Sequence, residues 1–325
     1  MNIRVTIFFF AVLSVVNVGF SSEVVNSVSG EDPVTPSQQP KTSLAKDVLK
    51  ICSVALYHER IDEGTKEEAG LLGSGLFVAK EVSGHKRYFI VTAAHILNTI
   101  LFDIECKGYQ IGLMSKSGGA IKRLSIPPRN PIVWFRDSVN DLAIADITLA
   151  IPELERTGGG VFAVDMDPVQ PNKWHPGFRT LPRIQPLMDS SLVKLNGNSL
   201  PQIVIAAAHP SLTSQVQPGS HDWIVPFVVH EGVLVEQDRK VSIQYRNANP
   251  NSKREFTVSI VSTKNGWAGM SGSAAYIMGG PDKPFLYGIV IGGNDDSTLL
   301  DVIPVAKVVK FIENIDNSPI ETIIK

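Results

Sequence analysis

The chain has 325 residues, 43% of them apolar, enough to bury a sizeable core in one or two domains. Its 30 basic and 32 acidic residues leave a net charge of -2, so no basic field points toward a nucleic-acid partner. The two cysteines and seven histidines show no zinc-like spacing, and no metal or cofactor is implied.

Arg4 precedes an almost wholly apolar run from Val5 to Phe20, broken at Thr6, Ser14 and Asn17. Ser21 and Ser22 then reopen polar sequence. This pattern predicts a secretory signal peptide over residues 1–22, cleaved near 19–22, and so a secreted or periplasmic protein with no stable membrane span. Read instead as an uncleaved anchor, residues 5–20 fall slightly short of the ~20 apolar residues that a span needs. Residues 23–47, with Pro33, Pro36 and Pro40, read as a linker or propeptide-like arm. Export places Cys52 and Cys106 in an oxidising compartment, where they read either as one bridge or as two buried thiols.

From Leu44 to Tyr57 the pattern predicts a short helix and then a strand. Residues 61–70, with Glu63, Lys66, Glu67 and Glu68, read as an exposed loop. Leu71 to Val78 is a strand whose Gly73 and Gly75 suit a bend or a close backbone approach. The charged stretch from Lys80 to Arg87 turns the chain, and Tyr88 to Thr92 returns as a strand that ends just before His95. Tyr109–Met114, Lys122–Ile126, Ile132–Phe135 and Leu142–Ile147 continue as short strands around Pro127, Pro128 and Pro131. Beyond a less legible middle, strands are predicted at Ile203–Ala208, Val225–Val229, Gly232–Val235, Val241–Tyr245, Phe256–Val261 and Phe285–Gly293. Pro304 to Ile315 has helical periodicity. Many short strands, turn signals and one late helix argue for an all-β barrel or sandwich.

Three segments carry candidate chemistry. They are Ile90-Val91-Thr92-Ala93-Ala94-His95, Asn140-Asp141-Leu142-Ala143-Ile144, and Gly-Trp-Ala-Gly-Met-Ser-Gly-Ser from Gly266 to Ser273. A serine hydroxyl is a poor nucleophile until a base takes its proton. An imidazole can do that, and a carboxylate can orient the imidazole and stabilise its charged form. Asp146 competes for the acid role but lies inside the apolar run rather than before it. Ser273 competes as nucleophile but lacks the Gly-x-Ser arrangement. His175 and His209 each precede a proline and read as loop histidines.

The order His95, Asp141, Ser271, with these flanks, resembles the chymotrypsin-like serine proteases, in particular the bacterial-type trypsin-like domains. The resemblance covers about residues 48–315 and is poorest in the middle. It implies two six-stranded antiparallel β-barrels with a C-terminal helix. The first would span about 48–150 and the second about 200–315, with insertions in 150–255 and a tail at 316–325 that leaves no room for an appended PDZ module. It implies a serine endopeptidase acting on protein or peptide substrates through an acyl-enzyme. Ser271 would be the nucleophile, His95 the base and Asp141 its orienting acid, with N–H groups of Gly269 and Ser271 as the oxyanion hole. Asn265, Ile291, Gly292 and Gly293 would form the primary pocket, and its neutral base predicts no strong preference for Arg or Lys. Met270 stands where trypsin carries an acid that pairs with a freed amino terminus, so a domain that folds competent is expected, with the arm as a possible inhibitor.

Two other readings are weighed beside this one. A catalytically weak or inactive protease-like domain could serve in binding. An α/β-hydrolase esterase would need Gly-x-Ser-x-Gly and a histidine last in order, but the chain has Gly269-Met270-Ser271-Gly272-Ser273 and an early His95.

Overall fold

In a computed structural model the chain is described over residues 49–62, 65–97, 106–114, 121–124, 133–152, 162–167, 179–180, 184–189, 193–194, 199–208, 215–216, 223–224, 227–244, 253–263, 269–279, 283–293 and 298–316. The signal segment, the arm, most of the tail, Asn265, His175 and His209 lie outside these residues. All of the described residues fall in one compact unit, Pro40–Lys325.

The described chain is mostly strand, arranged as two sheets, with a C-terminal helix. In chain order the strands of the first half are β1 (Ser53–Asp62), β2 (Thr65–Val82), β3 (His85–Ala93), β4 (Cys106–Met114), β5 (Ile121–Leu124), β6 (Val133–Asp137) and β7 (Leu142–Asp146). The middle adds β8 (Phe162–Asp165), β9 (Arg179–Thr180) and β10 (Gln185–Pro186). The second half contributes β11 (Gln202–Ala208), β12 (Gln215–Val216), β13 (Trp223–Ile224), β14 (Phe227–Gln244), β15 (Lys253–Thr263), β16 (Ala274–Met278), β17 (Pro284–Gly293) and β18 (Leu299–Pro304). Helix α1 (Val305–Glu313) follows β18 directly.

The first sheet runs β12-β13-β5-β4-β1-β2-β3-β7-β6, with β8 paired to β2 and β9 paired to β8, making eleven strands rather than six. Seven of the eleven are β1–β7, one more than expected, and the short strands β8, β9, β12 and β13, drawn from residues 162–224, supply partners for otherwise open backbone edges. In the second sheet the pairings pass β17–β16–β11–β14–β15–β18 and return to β17, with β10 added in parallel at one side.

Residues 61–62 and 65–70, expected as part of a loop, instead lie in the long β1–β2 ladder, with Glu59 opposite Ala69, Arg60 opposite Glu68 and Asp62 opposite Thr65. The ladder uses backbone groups, so charged side chains do not stop it.

β11 is buried on both faces, and alternation divides its side chains between two cores. On β11, Ile203, Ile205 and Ala207 enter the core of the second sheet with Leu234, Val261, Tyr287, Val290 and Leu300. Val204 and Ala206 face the other way, into a larger core with Leu76, Phe77, Ile90, Trp134 and Ile144 of the first sheet. Helix α1 buries Val305, Val308, Val309 and Ile312, the one-sided i, i+3, i+4, i+7 stripe of a surface helix, in that larger core.

The two cysteines do not form a bridge. Cys52 is a free, buried thiol. It precedes β1, whereas Cys106 stands opposite Arg60 near the far end of that strand. Eight residues of strand at about 3.3 Å each separate the two positions, far beyond the ~7 Å between Cα atoms that a disulfide tolerates. Burial among apolar side chains pushes the Cys52 thiol well above its usual pKa.

Candidate active site

The β3–β7 ladder brings two of the three segments together. Ala93 stands opposite Leu142 in the last antiparallel pair. One step further, the Ala94 N–H donates to the Asp141 carbonyl at 2.8 Å. The chain then winds into a helical turn over residues 94–97, which carries His95. Asp141 ends the connection from β6 with φ +50, in the left-handed region that costs most residues about 1–2 kcal/mol. That conformation turns its side chain back under the helical turn. Asp141 Oδ1 accepts the His95 backbone N–H at 2.9 Å, and Oδ2 lies 2.7 Å from His95 Nδ1.

Asp141 is 0% exposed and the His95 side chain is 33% exposed, so a buried carboxylate stands behind a ring that reaches solvent. A carboxylate can only accept. The hydrogen between them therefore belongs to Nδ1, and in the neutral ring Nε2 keeps a free lone pair. A general base needs that tautomer.

Ser271 lies in the turn between β15 and β16, flanked by Gly269 at φ +83 and Gly272 at φ +82. Three contacts pin this turn. The Ser74 N–H donates to the Ser271 carbonyl at 2.9 Å, the Gly272 N–H to the Val290 carbonyl at 2.7 Å, and the Ser273 N–H to the Met270 carbonyl at 2.9 Å. Met270, the residue before Ser271, is buried in the core of the second sheet and anchors the turn by an apolar side chain. Among the described residues, the N–H groups of Gly269 and Ser271 meet no backbone acceptor outside the strands and helix.

The serine turn meets the histidine segment at β2. A Cβ added to Gly73 would lie 2.5 Å from Ile96 Cδ1 and 3.0 Å from the Ser271 carbonyl, so the residue after His95 and the backbone of Ser271 close on one point. Ser74 extends the junction. Its hydroxyl donates to the Gly269 carbonyl at 3.2 Å, and its carbonyl accepts the Thr92 hydroxyl at 2.7 Å. Ser74 and Thr92 lie in segments that the sequence marks, but their role in joining them is visible only in the fold. The signals were a serine between two glycines in a strand and a threonine three residues before His95.

The competitors are occupied or enclosed. Asp146 Oδ2 accepts from Arg87 Nη2 at 2.6 Å and Nε at 3.0 Å, and Oδ1 accepts the Thr148 N–H at 2.9 Å. Ser273 is fully buried, and its hydroxyl has no partner among the described residues.

The proposed pocket wall needs one correction. The Ile291 side chain is 1% exposed and packs in the larger core, because strand alternation sends it to the same face as Ile289. Gly292 faces open space, with nothing within 4 Å of where a Cβ would stand, and Gly293 is exposed.

The chain matches no protein-family model and no curated protein sequence.

Proposed function

We propose that this chain is a chymotrypsin-like serine endopeptidase, built as two β-barrels with the reacting groups where they meet. The ring of six strand pairings in the second sheet supports the two-barrel reading. The observation that carries the activity is the 2.7 Å contact from His95 Nδ1 to the buried Asp141, beside the Gly73 junction with Ser271.

In this mechanism Ser271 Oγ attacks the carbonyl carbon of a peptide bond while His95 Nε2 takes its proton. Asp141 holds the ring in the required tautomer and stabilises the imidazolium. The carbonyl oxygen gains charge as the tetrahedral intermediate forms, and the N–H groups of Gly269 and Ser271 receive it. Losing one such donor costs about 2.7–4 kcal/mol at the transition state. His95 then gives its proton to the leaving amine, which departs and leaves an acyl-Ser271 ester. Water enters and attacks the ester carbonyl as His95 takes its proton; His95 then returns that proton to Ser271 Oγ as the Oγ–acyl bond breaks, releasing the acid and restoring the enzyme.

The neutral Asn265 and the open Gly292 and Gly293 fit substrates without a strong Arg or Lys preference. The apolar N-terminal run directs the protein to a secreted or periplasmic location. No described helix is long and apolar enough to cross a membrane.

Fluorophosphonate labelling tests the activity. Wild-type protein labels at Ser271, and Ser271→Ala and His95→Ala do not. A folded wild-type protein that resists labelling would refute the peptidase reading and leave a protease-like binding domain in its place. A peptide-library profile dominated by Arg or Lys would refute the specificity.

A further inference from the structure

The turn that delivers Asp141 is built around a second carboxylate. Asp137 ends β6 opposite Leu142, the first residue of β7, so residues 138–141 form a four-residue connection. Asp137 Oδ1 accepts the backbone N–H of Val139 at 3.0 Å and that of Asn140 at 3.0 Å. Oδ2 accepts the side-chain N–H of Asn140 at 2.6 Å. Three donors from two successive residues therefore converge on one side chain.

The two backbone amides belong to a connection whose residues have no place in the ladder, where N–H groups must find a partner locally or be left to water. Their capture sets the peptide planes on either side of Val139, and Asp141 follows with φ +50. Released from that constraint, a non-glycine residue drifts toward the right-handed or extended regions it prefers. Such a rotation swings the Asp141 carboxylate away from both the His95 N–H and the ring. Lys307 on α1 lies within electrostatic reach of Asp137 and donates to the Thr257 carbonyl at 2.9 Å.

We propose that Asp137 is a positioning residue for the His95–Asp141 pair, its carboxylate holding the 138–141 turn in the conformation that aims Asp141 at the imidazole. The inference rests on the peptidase reading of the site and adds to it a residue that acts through the turn rather than on the substrate. Asparagine at this position keeps an oxygen for the two backbone amides but sets one amide donor against another at Asn140. Alanine removes all three bonds.

The test compares Asp137→Ala, Asp137→Asn and Val139→Ala in the full chain. Asp137→Ala lowers kcat by about 10- to 100-fold, the loss expected when a group is displaced by about an ångström, while KM stays within about twofold. Asp137→Asn falls between the alanine variant and wild type. Val139→Ala leaves kcat unchanged, because the Val139 amide is retained and its side chain is 59% exposed. In a Ser271→Ala background, the far-downfield proton signal of His95 Nδ1–H moves upfield or broadens with Asp137→Ala.

A folded Asp137→Ala enzyme with wild-type kcat and an unmoved downfield proton would overturn the proposal. Should the alanine variant fail to fold, Asp137→Asn with kcat and downfield proton both at wild-type values overturns it as well. Failure of the peptidase reading is a separate result. There the wild-type chain itself does not label, and the proton signal still reports whether Asp137 orders the pair.

Discussion

Replacing Gly272 by alanine tests how tightly the serine turn is held against the first sheet. An alanine Cβ would lie 1.8 Å from the Ser74 carbonyl oxygen and 2.2 Å from Thr92 Oγ1. Carbon–oxygen contacts relax near ~3.3 Å, so about 1.5 Å of separation must be found at the carbonyl. The obstacles cannot yield independently. The Ser74 carbonyl accepts the Thr92 hydroxyl at 2.7 Å, and the Ser74 N–H holds the Ser271 carbonyl at 2.9 Å. Gly272 also sits at φ +82, where a side chain adds about 1–2 kcal/mol. Overpacking adds roughly 1–3 kcal/mol, for a total near 2–5 kcal/mol against the ~5–15 kcal/mol that holds a native fold together. At about 2–4 °C per kcal/mol for a domain approaching this size, Tm falls by roughly 4–20 °C. Relief by movement of the turn displaces Ser271, so fluorophosphonate labelling slows in the protein that remains folded. Thermal denaturation and labelling are measured on the same preparation. A variant with Tm within about 2 °C of wild type and undiminished labelling would refute the packing argument.

The other expectations are narrower. Asp141→Asn can present an N–H to His95 Nδ1, which forces the proton onto Nε2 and removes the base; kcat falls on the order of 10³–10⁴-fold, and kcat near wild type would exclude Asp141 as the orienting acid. Asp167 ties residues 162–167 to the β2–β3 hairpin, accepting from Lys80 at 3.0 Å and Lys86 at 2.9 Å. Burial opposes its charge, but these bonds and the Glu81 N–H hold its carboxyl below the ordinary 3.8. The unfolded chain therefore takes up the proton first as pH falls. The stabilisation is present above about 3.8 and is lost as pH drops through the lower folded value. Asp167→Asn thus lowers Tm at neutral pH, and the gap to wild type closes in acid; a gap that stays constant from pH 7 to pH 2 would contradict the linkage. Cys52 reacts with a thiol reagent only when the chain unfolds, and denatured, unreduced protein titrates two thiols; rapid modification of Cys52 in the native state would contradict its burial.

Local chemistry made much of this legible in the sequence. Short runs of β-branched and aromatic residues between turn signals mark most of the strands. The stripe of Val305, Val308, Val309 and Ile312 marks α1, because a helix sorts its faces by neighbours three and four apart. His95, Asp141 and Ser271 stand out because each sits at a strand end in a distinctive flank. Asp141 is separable from Asp146 because only the former precedes the apolar run, and Arg87 takes the latter in the fold.

What tertiary structure alone decided depends on partners far away in the chain. The ladder at residues 61–62 and 65–70 follows from the β1–β2 backbone register, to which charged side chains gave no clue. The separation of Cys52 from Cys106 follows from the β1–β4 register. Ile291 faces the core rather than a pocket because of the face on which its strand is covered. Ser74 joins Thr92 to Gly269, 177 positions later in the chain, and Asp137 gathers the amides of the turn that leads to Asp141. Periodicity and turn chemistry act over a few residues and can be read directly from the sequence. A hydrogen bond between distant segments exists only after the chain has chosen its pairings, so the support of the candidate site emerges with the fold while His95, Asp141 and Ser271 are visible before it.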